Sequence, residues 1–104
     1  MNNEQKQYLV VVEDEAIEMM NNHLEFLSNV STNATENLIN LFEEGFDSLE
    51  FMPQRCPIFR TIGTAQNYRR LIIGRRYQVI FSINEANSTV NVKYILDSRQ
   101  NNEF

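Results

Sequence analysis

Between residues 69 and 96 the chain alternates its side-chain character with a period of two, in three successive runs. Arg69, Leu71 and Ile73 alternate with Arg70 and Ile72; Tyr77, Val79, Phe81 and Ile83 alternate with Gln78, Ile80, Ser82 and Asn84; Val90, Val92, Tyr94 and Leu96 make the last run. That period sends neighbouring side chains to opposite faces of a strand, so each run is expected to bury one face and show the other. Gly74 supplies a turn after the first run, and Glu85-Ala86-Asn87-Ser88 reads as a hairpin loop after the second. Three strands with such short links form an antiparallel meander, whose apolar face needs a second layer.

The first half of the chain supplies that layer. Tyr8-Leu9-Val10-Val11-Val12 is short, apolar and β-branched, as expected of a buried strand. Glu13-Asp14-Glu15 then opens a helix, with Asp14 as the expected cap and the acids favouring the positive end of the helix dipole. Ile17, Met20, Leu24 and Leu27 step by three or four, predicting one buried face up to about Val30. Ser31-Thr32-Asn33 interrupts the pattern, and Asn33 with Glu36 resembles a capping box. A second helix is expected with Ala34, Leu38, Leu41, Phe42 and Leu49 on one side, and with Gly45 as a weak point that does not end it. Pro53 and Pro57 end helical structure, leaving loop or irregular edge strand to about Asn67. The order β-α-α-β-β-β predicts an α+β fold: a twisted, mainly antiparallel sheet with a helical hairpin on one face. The other sheet face is left for solvent or a partner. A length of 104 residues supports one such domain, spanning residues 1–104.

Composition narrows the setting. With 42% hydrophobic and 22% charged residues, the chain has ordinary globular usage, which argues against disorder. No run approaches the roughly 18 apolar residues of a membrane span. Met1 to Gln7 is polar and lacks the apolar stretch of a signal peptide, and the lone Cys56 offers no disulfide partner, so a reducing cytoplasmic location is expected. The net charge of −5 is unevenly spread. Residues 1–50 hold eleven acids and one base, whereas residues 51–104 hold eight bases and three acids. Such a split lets an acidic protein attract a polyanion or an acidic partner to one side. Seven of the eight bases are arginines, suited to bidentate carboxylate or phosphate contacts.

Candidate chemistry is sparse. Arg69, Arg70, Arg75 and Arg76 crowd around the Gly74 turn; they read either as charges guarding a strand edge or as an anchoring patch for a partner. Arg99 follows the last strand, where it reads either as a functional residue or as a structural ion-pair partner of Asp97 or an N-terminal acid. His23 has no nearby Ser, Cys or second His and reads as a rim histidine rather than a general base. Cys56, between Arg55 and Pro57, has a setting in which a depressed pKa is conceivable but no partner histidine. Met19 and Met20, with Phe26, Phe42 and Phe46, read as packing. One His and one Cys make no metal constellation, and Gly45, Gly63 and Gly74 are isolated, so no metal or cofactor is expected.

The ordered motifs resemble the RelE/ParE superfamily of toxins. The likeness rests on Leu49-Glu50-Phe51-Met52-Pro53, on the Tyr-Arg-rich stretch from Tyr68-Arg69-Arg70 through Arg75-Arg76-Tyr77 to Phe81, and on Val90 to Leu96 running into Asp97-Ser98-Arg99-Gln100. It covers about residues 7–100. The resemblance implies the toxin half of a type II toxin–antitoxin pair, held inactive by an antitoxin that wraps it. RelE-like members are metal-independent, ribosome-dependent mRNA endoribonucleases; ParE-like members bind and inhibit DNA gyrase. In the ribonuclease set Arg69 and Arg99 fall on basic positions, whereas Leu71 stands where another lysine is usual. Gln78 replaces a phosphate-contacting arginine, and Phe104 lies near the place of a catalytic tyrosine. A phenyl ring transfers no proton, and losing one charge-stabilising donor costs roughly two to three orders of magnitude in rate. Net acidity points the same way, because the ribosome is a dense phosphate field. The expected function is therefore a protein-binding, ParE-like toxin with Arg69, Arg70, Arg75, Arg76 and Arg99 as its docking residues. A ribosome-dependent nuclease built on Arg69 and Arg99, and a degenerate member that binds its antitoxin without poisoning anything, are the alternatives.

Overall fold

The computed structural model describes residues 6–59 and 67–98. Its elements run β1 (Leu9–Val12), α1 (Asp14–Ser28), α2 (Thr32–Ser48), a single 3-10 turn at Pro53–Arg55, β2 (Arg69–Ile73), β3 (Tyr77–Asn84) and β4 (Thr89–Asp97). The four strands form one sheet in the order β1-β4-β3-β2. β2–β3 and β3–β4 are antiparallel, and β1 joins the far edge parallel to β4, Leu9 facing Thr89 and Val12 facing Val92. This is the α+β arrangement that the alternating runs and the two helical segments predict. No helix among the described residues is long and apolar enough to cross a membrane.

The core lies between the helices and one sheet face. Tyr77, Val79 and Phe81 of β3, with Ile73, Val90, Val92 and Ile95, meet Ala16 of α1 and Leu38, Phe42 and Leu49 of α2 and its end. Burying a side chain such as Phe42 contributes on the order of 1.5–3 kcal/mol. Ala16 is the fully buried position of α1, while Ile17, expected on the buried face, is 38% exposed. Both helix starts differ from the sequence reading. Glu13 rather than Asp14 is the N-cap of α1, and it makes no side-chain cap because its carboxylate turns to Lys93 Nζ, 2.9 Å away. Ser31 rather than Asn33 caps α2, its Oγ accepting from the Ala34 N–H at 3.1 Å. Three oxygen-bearing residues in a row made the choice ambiguous; extended backbone at Ser31 decides it.

Two irregularities shape the sheet. Gly74 and Arg75 both have positive φ (60° and 64°), the conformation of tight hairpin turns that follow the sheet's twist. In β4 the register slips: Ile80 faces Tyr94 but Phe81 faces Val92, so Lys93 is an extra residue in a bulge. The bulge overturns the expected alternation of Val90, Val92, Tyr94 and Leu96. Beyond it Ile95 joins Val90 and Val92 in the core, and Tyr94 and Leu96 pair with Ile80 and Gln78 on the opposite face. That opposite face is not simply open, since Ile80, Leu96, Ser82 and Gln78 are all buried.

Candidate functional site

The arginines expected to share a patch do different things. Arg69 begins β2, opposite Phe81, at the end of the strand away from the turn. Its Nη1 donates to the carbonyls of Gln54 (3.0 Å) and Cys56 (2.6 Å), tying the proline-bounded segment to the sheet. Arg70 projects to the helix-free face, exposed, and donates to Gln78 Oε1 at 3.3 Å. Arg75 is exposed at the turn itself. Arg76 is clasped by the buried Asp97, Nη2 to Oδ2 at 3.1 Å and Nε at 3.2 Å, and lies over the Tyr77 ring. Turn and strand start are separated by the length of β2, so one continuous patch at the turn does not form. Arg99 and Phe104 lie outside the described residues. Of the remaining ribonuclease-set positions, Leu71 packs against the core and Gln78 is buried.

A polar concavity of about 470 Å³ opens beside Arg69. Its walls are Gln54, Asn67 and Arg69 from the β2 side, Ser82 to Glu85 from the end of β3, and Asn91 and Lys93 from β4. The β4 bulge places Lys93 there, half-buried, with the Glu13 carboxylate against it. Hydrogen bonding to that carboxylate, opposed by some desolvation, raises the Lys93 pKa above the usual lysine value, and the nearby Tyr68 and Tyr94 add to the shift. The two tyrosine rings stand 6.5 Å apart between centroids. On the rim, Glu85 accepts from Tyr8 Oη (2.7 Å), Gln54 Nε2 (2.8 Å) and Lys6 Nζ (3.4 Å), and these bonds hold its carboxyl below the usual range. Gln54 also donates to Tyr8 Oη at 2.7 Å, closing a three-residue ring of hydrogen bonds.

The lesser candidates resolve into packing. Cys56 is buried, and desolvation raises its thiol pKa more than the nearby Arg55 and Arg69 lower it, the reverse of an activated nucleophile. The His23 Nε2 lies 3.1 Å from the Ile95 carbonyl, which fixes that nitrogen as the donor, and its ring leans on Tyr77. It tethers α1 to β4. Among the described residues no group of three or more His, Cys, Asp and Glu side chains is placed to hold a metal. Of the residues lining the concavity, the sequence reading singled out Arg69 alone as a site residue. Polar residues at one parity of β3 and in the first half of β4 were the available signal, but the bulge that gathers them was not visible.

No protein-family model matches the chain, and no curated protein sequence matches it. Solved structures do. A chain of the RelBE2 toxin–antitoxin complex from Mycobacterium tuberculosis superposes with a TM-score of 0.58 at 14% identity, covering 92% of this chain and 97% of that one. A chain of the archaeal RelE–RelB complex from Pyrococcus horikoshii superposes with a TM-score of 0.57 at 18% identity, covering 88% and 94%. The helical hairpin, the mixed four-stranded sheet and their order are therefore a fold shared nearly end to end with chains of two RelE–RelB-type complexes.

Proposed function

We propose that this chain is the toxin of a type II toxin–antitoxin pair, neutralised by a cognate antitoxin and acting, when free, by binding a protein target, with DNA gyrase the candidate. The observation that carries the protein-binding reading is the loss of donors at Leu71 and Gln78. In a metal-independent ribonuclease these positions supply cationic donors to the scissile phosphate. Here Leu71 turns inward and Gln78 is buried and uncharged, while Arg69 spends its Nη1 on two backbone carbonyls and keeps its other donors. The shared fold supports the antitoxin partner, since both solved relatives are toxin–antitoxin complexes.

The ribosome-dependent mRNA nuclease is the second reading. It is favoured by the RelE type of both relatives. Inducing the chain in bacteria while following supercoiling and mRNA integrity separates the two. Gyrase inhibition with intact mRNA is the expected result; codon-positioned mRNA cleavage would establish the nuclease, and harmless expression a non-toxic relative. Arg69→Ala and Arg99→Ala are expected to reduce toxicity more than His23→Ala at matched protein levels; equal toxicity of all three removes the site assignment.

A further inference from the structure

We infer that the concavity beside Arg69 is a seat for a single carboxylate side chain presented by an extended segment of a protein partner. This rests on the protein-binding reading above and names the chemistry recognised. Arg69 has no carboxylate partner among the described residues. Every other half-buried cation among the described residues has a carboxylate: Arg76 has Asp97, and Lys93 has Glu13. Arg69 is half-buried and is held by carbonyl oxygens, which orient the guanidinium without neutralising it. Both bonds use Nη1; the donors on Nε and Nη2 meet no acceptor among the described residues. A guanidinium fixed on one side and unsatisfied on the other is pre-organised for a bidentate anion.

Among the described residues the wall does not supply that anion. Glu85 lines the same space, but its carboxylate is turned to Tyr8, Lys6 and Gln54 and forms no ion pair with Arg69. Lys93 is paired with Glu13 and Glu85 with Lys6, so the uncompensated positive charge of the lining is that of Arg69, which one carboxylate matches. A nucleic-acid strand, with a charge on every phosphate, would set its next phosphates against Glu85 and Glu13. The remaining lining groups, Gln54, Asn67, Ser82, Asn84 and Asn91, offer donors and acceptors together, as the N–H and C=O groups of an extended peptide require. About 470 Å³ lies within the range of roughly 300–1,000 Å³ typical of ligand sites.

The test is a nitrogen–proton NMR titration of the full chain with an acetylated, amidated heptapeptide carrying one central glutamate among Ala, Ser and Val. Parallel titrations use the same peptide with glutamine at the centre, inorganic phosphate, and oligouridylate. The glutamate peptide is expected to shift the Arg69 Nε–H and the Asn84, Asn91 and Lys93 amides, and to bind about tenfold or more tightly than the glutamine peptide, a difference of about 1.4 kcal/mol. Arg69→Gln abolishes the shifts. Because that change also frees the Gln54–Cys56 segment, Asn84→Trp, which fills the exposed rim and leaves Arg69's bonds alone, serves as the second variant and is expected to abolish them too. Equal binding of both peptides, preference for phosphate or oligouridylate, or no shift at these groups with any probe overturns the seat. Loss of the seat with gyrase inhibition intact leaves the protein-binding reading standing; a selective seat in a chain that cuts mRNA refutes that reading alone.

Discussion

Gly45 in the middle of α2 is the position where helix propensity and packing pull in opposite directions, and Gly45→Ala measures which wins. An added Cβ would lie 2.5 Å from Ile73 Cδ1, 3.2 Å from Ile73 Cγ1 and 3.5 Å from Leu71 Cδ2. Comfortable carbon–carbon separation is about 3.5–4.0 Å, so the end of Ile73 must retreat by about 1 Å. It has little room, being a β-branched side chain buried at the last position of β2. Alanine gains about 0.8–1 kcal/mol of helix propensity, while overpacking costs about 1–3 kcal/mol. The expected net is a destabilisation of about 0–2 kcal/mol, read as a lower urea midpoint with an unchanged m-value. Ile73→Val alone costs about 0.5–1.5 kcal/mol but removes the nearest atom. In the double variant the 2.5 Å contact is gone and only the 3.2 Å contact to Cγ1 has to ease, so the two changes should couple favourably by about 1–2 kcal/mol. Strict additivity, or a Gly45→Ala variant stabilised by the full propensity term, would refute the claim that α2 is seated against β2 through this glycine.

Two further predictions follow from the caps and the rim. Ser31→Ala removes the α2 cap and should cost about 0.5–2 kcal/mol by urea denaturation, while Asn33→Ala leaves stability within about 0.5 kcal/mol; the opposite ranking would restore the sequence-based cap. Glu85 has a depressed pKa in the folded chain, so its contribution is present above the unfolded carboxylate value and is lost as pH falls through the folded one. Thermal unfolding should therefore show wild type more stable than Glu85→Gln near neutral pH, the gap closing on acidification below about pH 4. A gap independent of pH would mean that the Tyr8–Gln54–Glu85 ring is held by something other than the charge on Glu85.

Local residue patterns by themselves settled the architecture. Period two over 69–84 against steps of three and four over 16–46 separates strands from helices, because burial of one face leaves those two spacings and no others. The turn at Gly74, the helical hairpin and the β2-β3-β4 meander follow from that, whereas the parallel pairing of β1 with β4 does not. What only the tertiary structure decided is where charges and faces end up. The one-residue bulge at Lys93 swaps the faces of Tyr94, Ile95 and Leu96, and a period-two reading cannot detect an extra residue inside a run that stays apolar on both sides. Nor does proximity along the chain say which arginine meets a carboxylate. Arg76 and Arg75 are neighbours, yet one is locked to Asp97 from another strand and the other is exposed, while Arg69 reaches carbonyls thirteen and fifteen residues away. Ion pairing depends on distances of a few ångströms across strands, which residue types and their spacing along one strand do not contain.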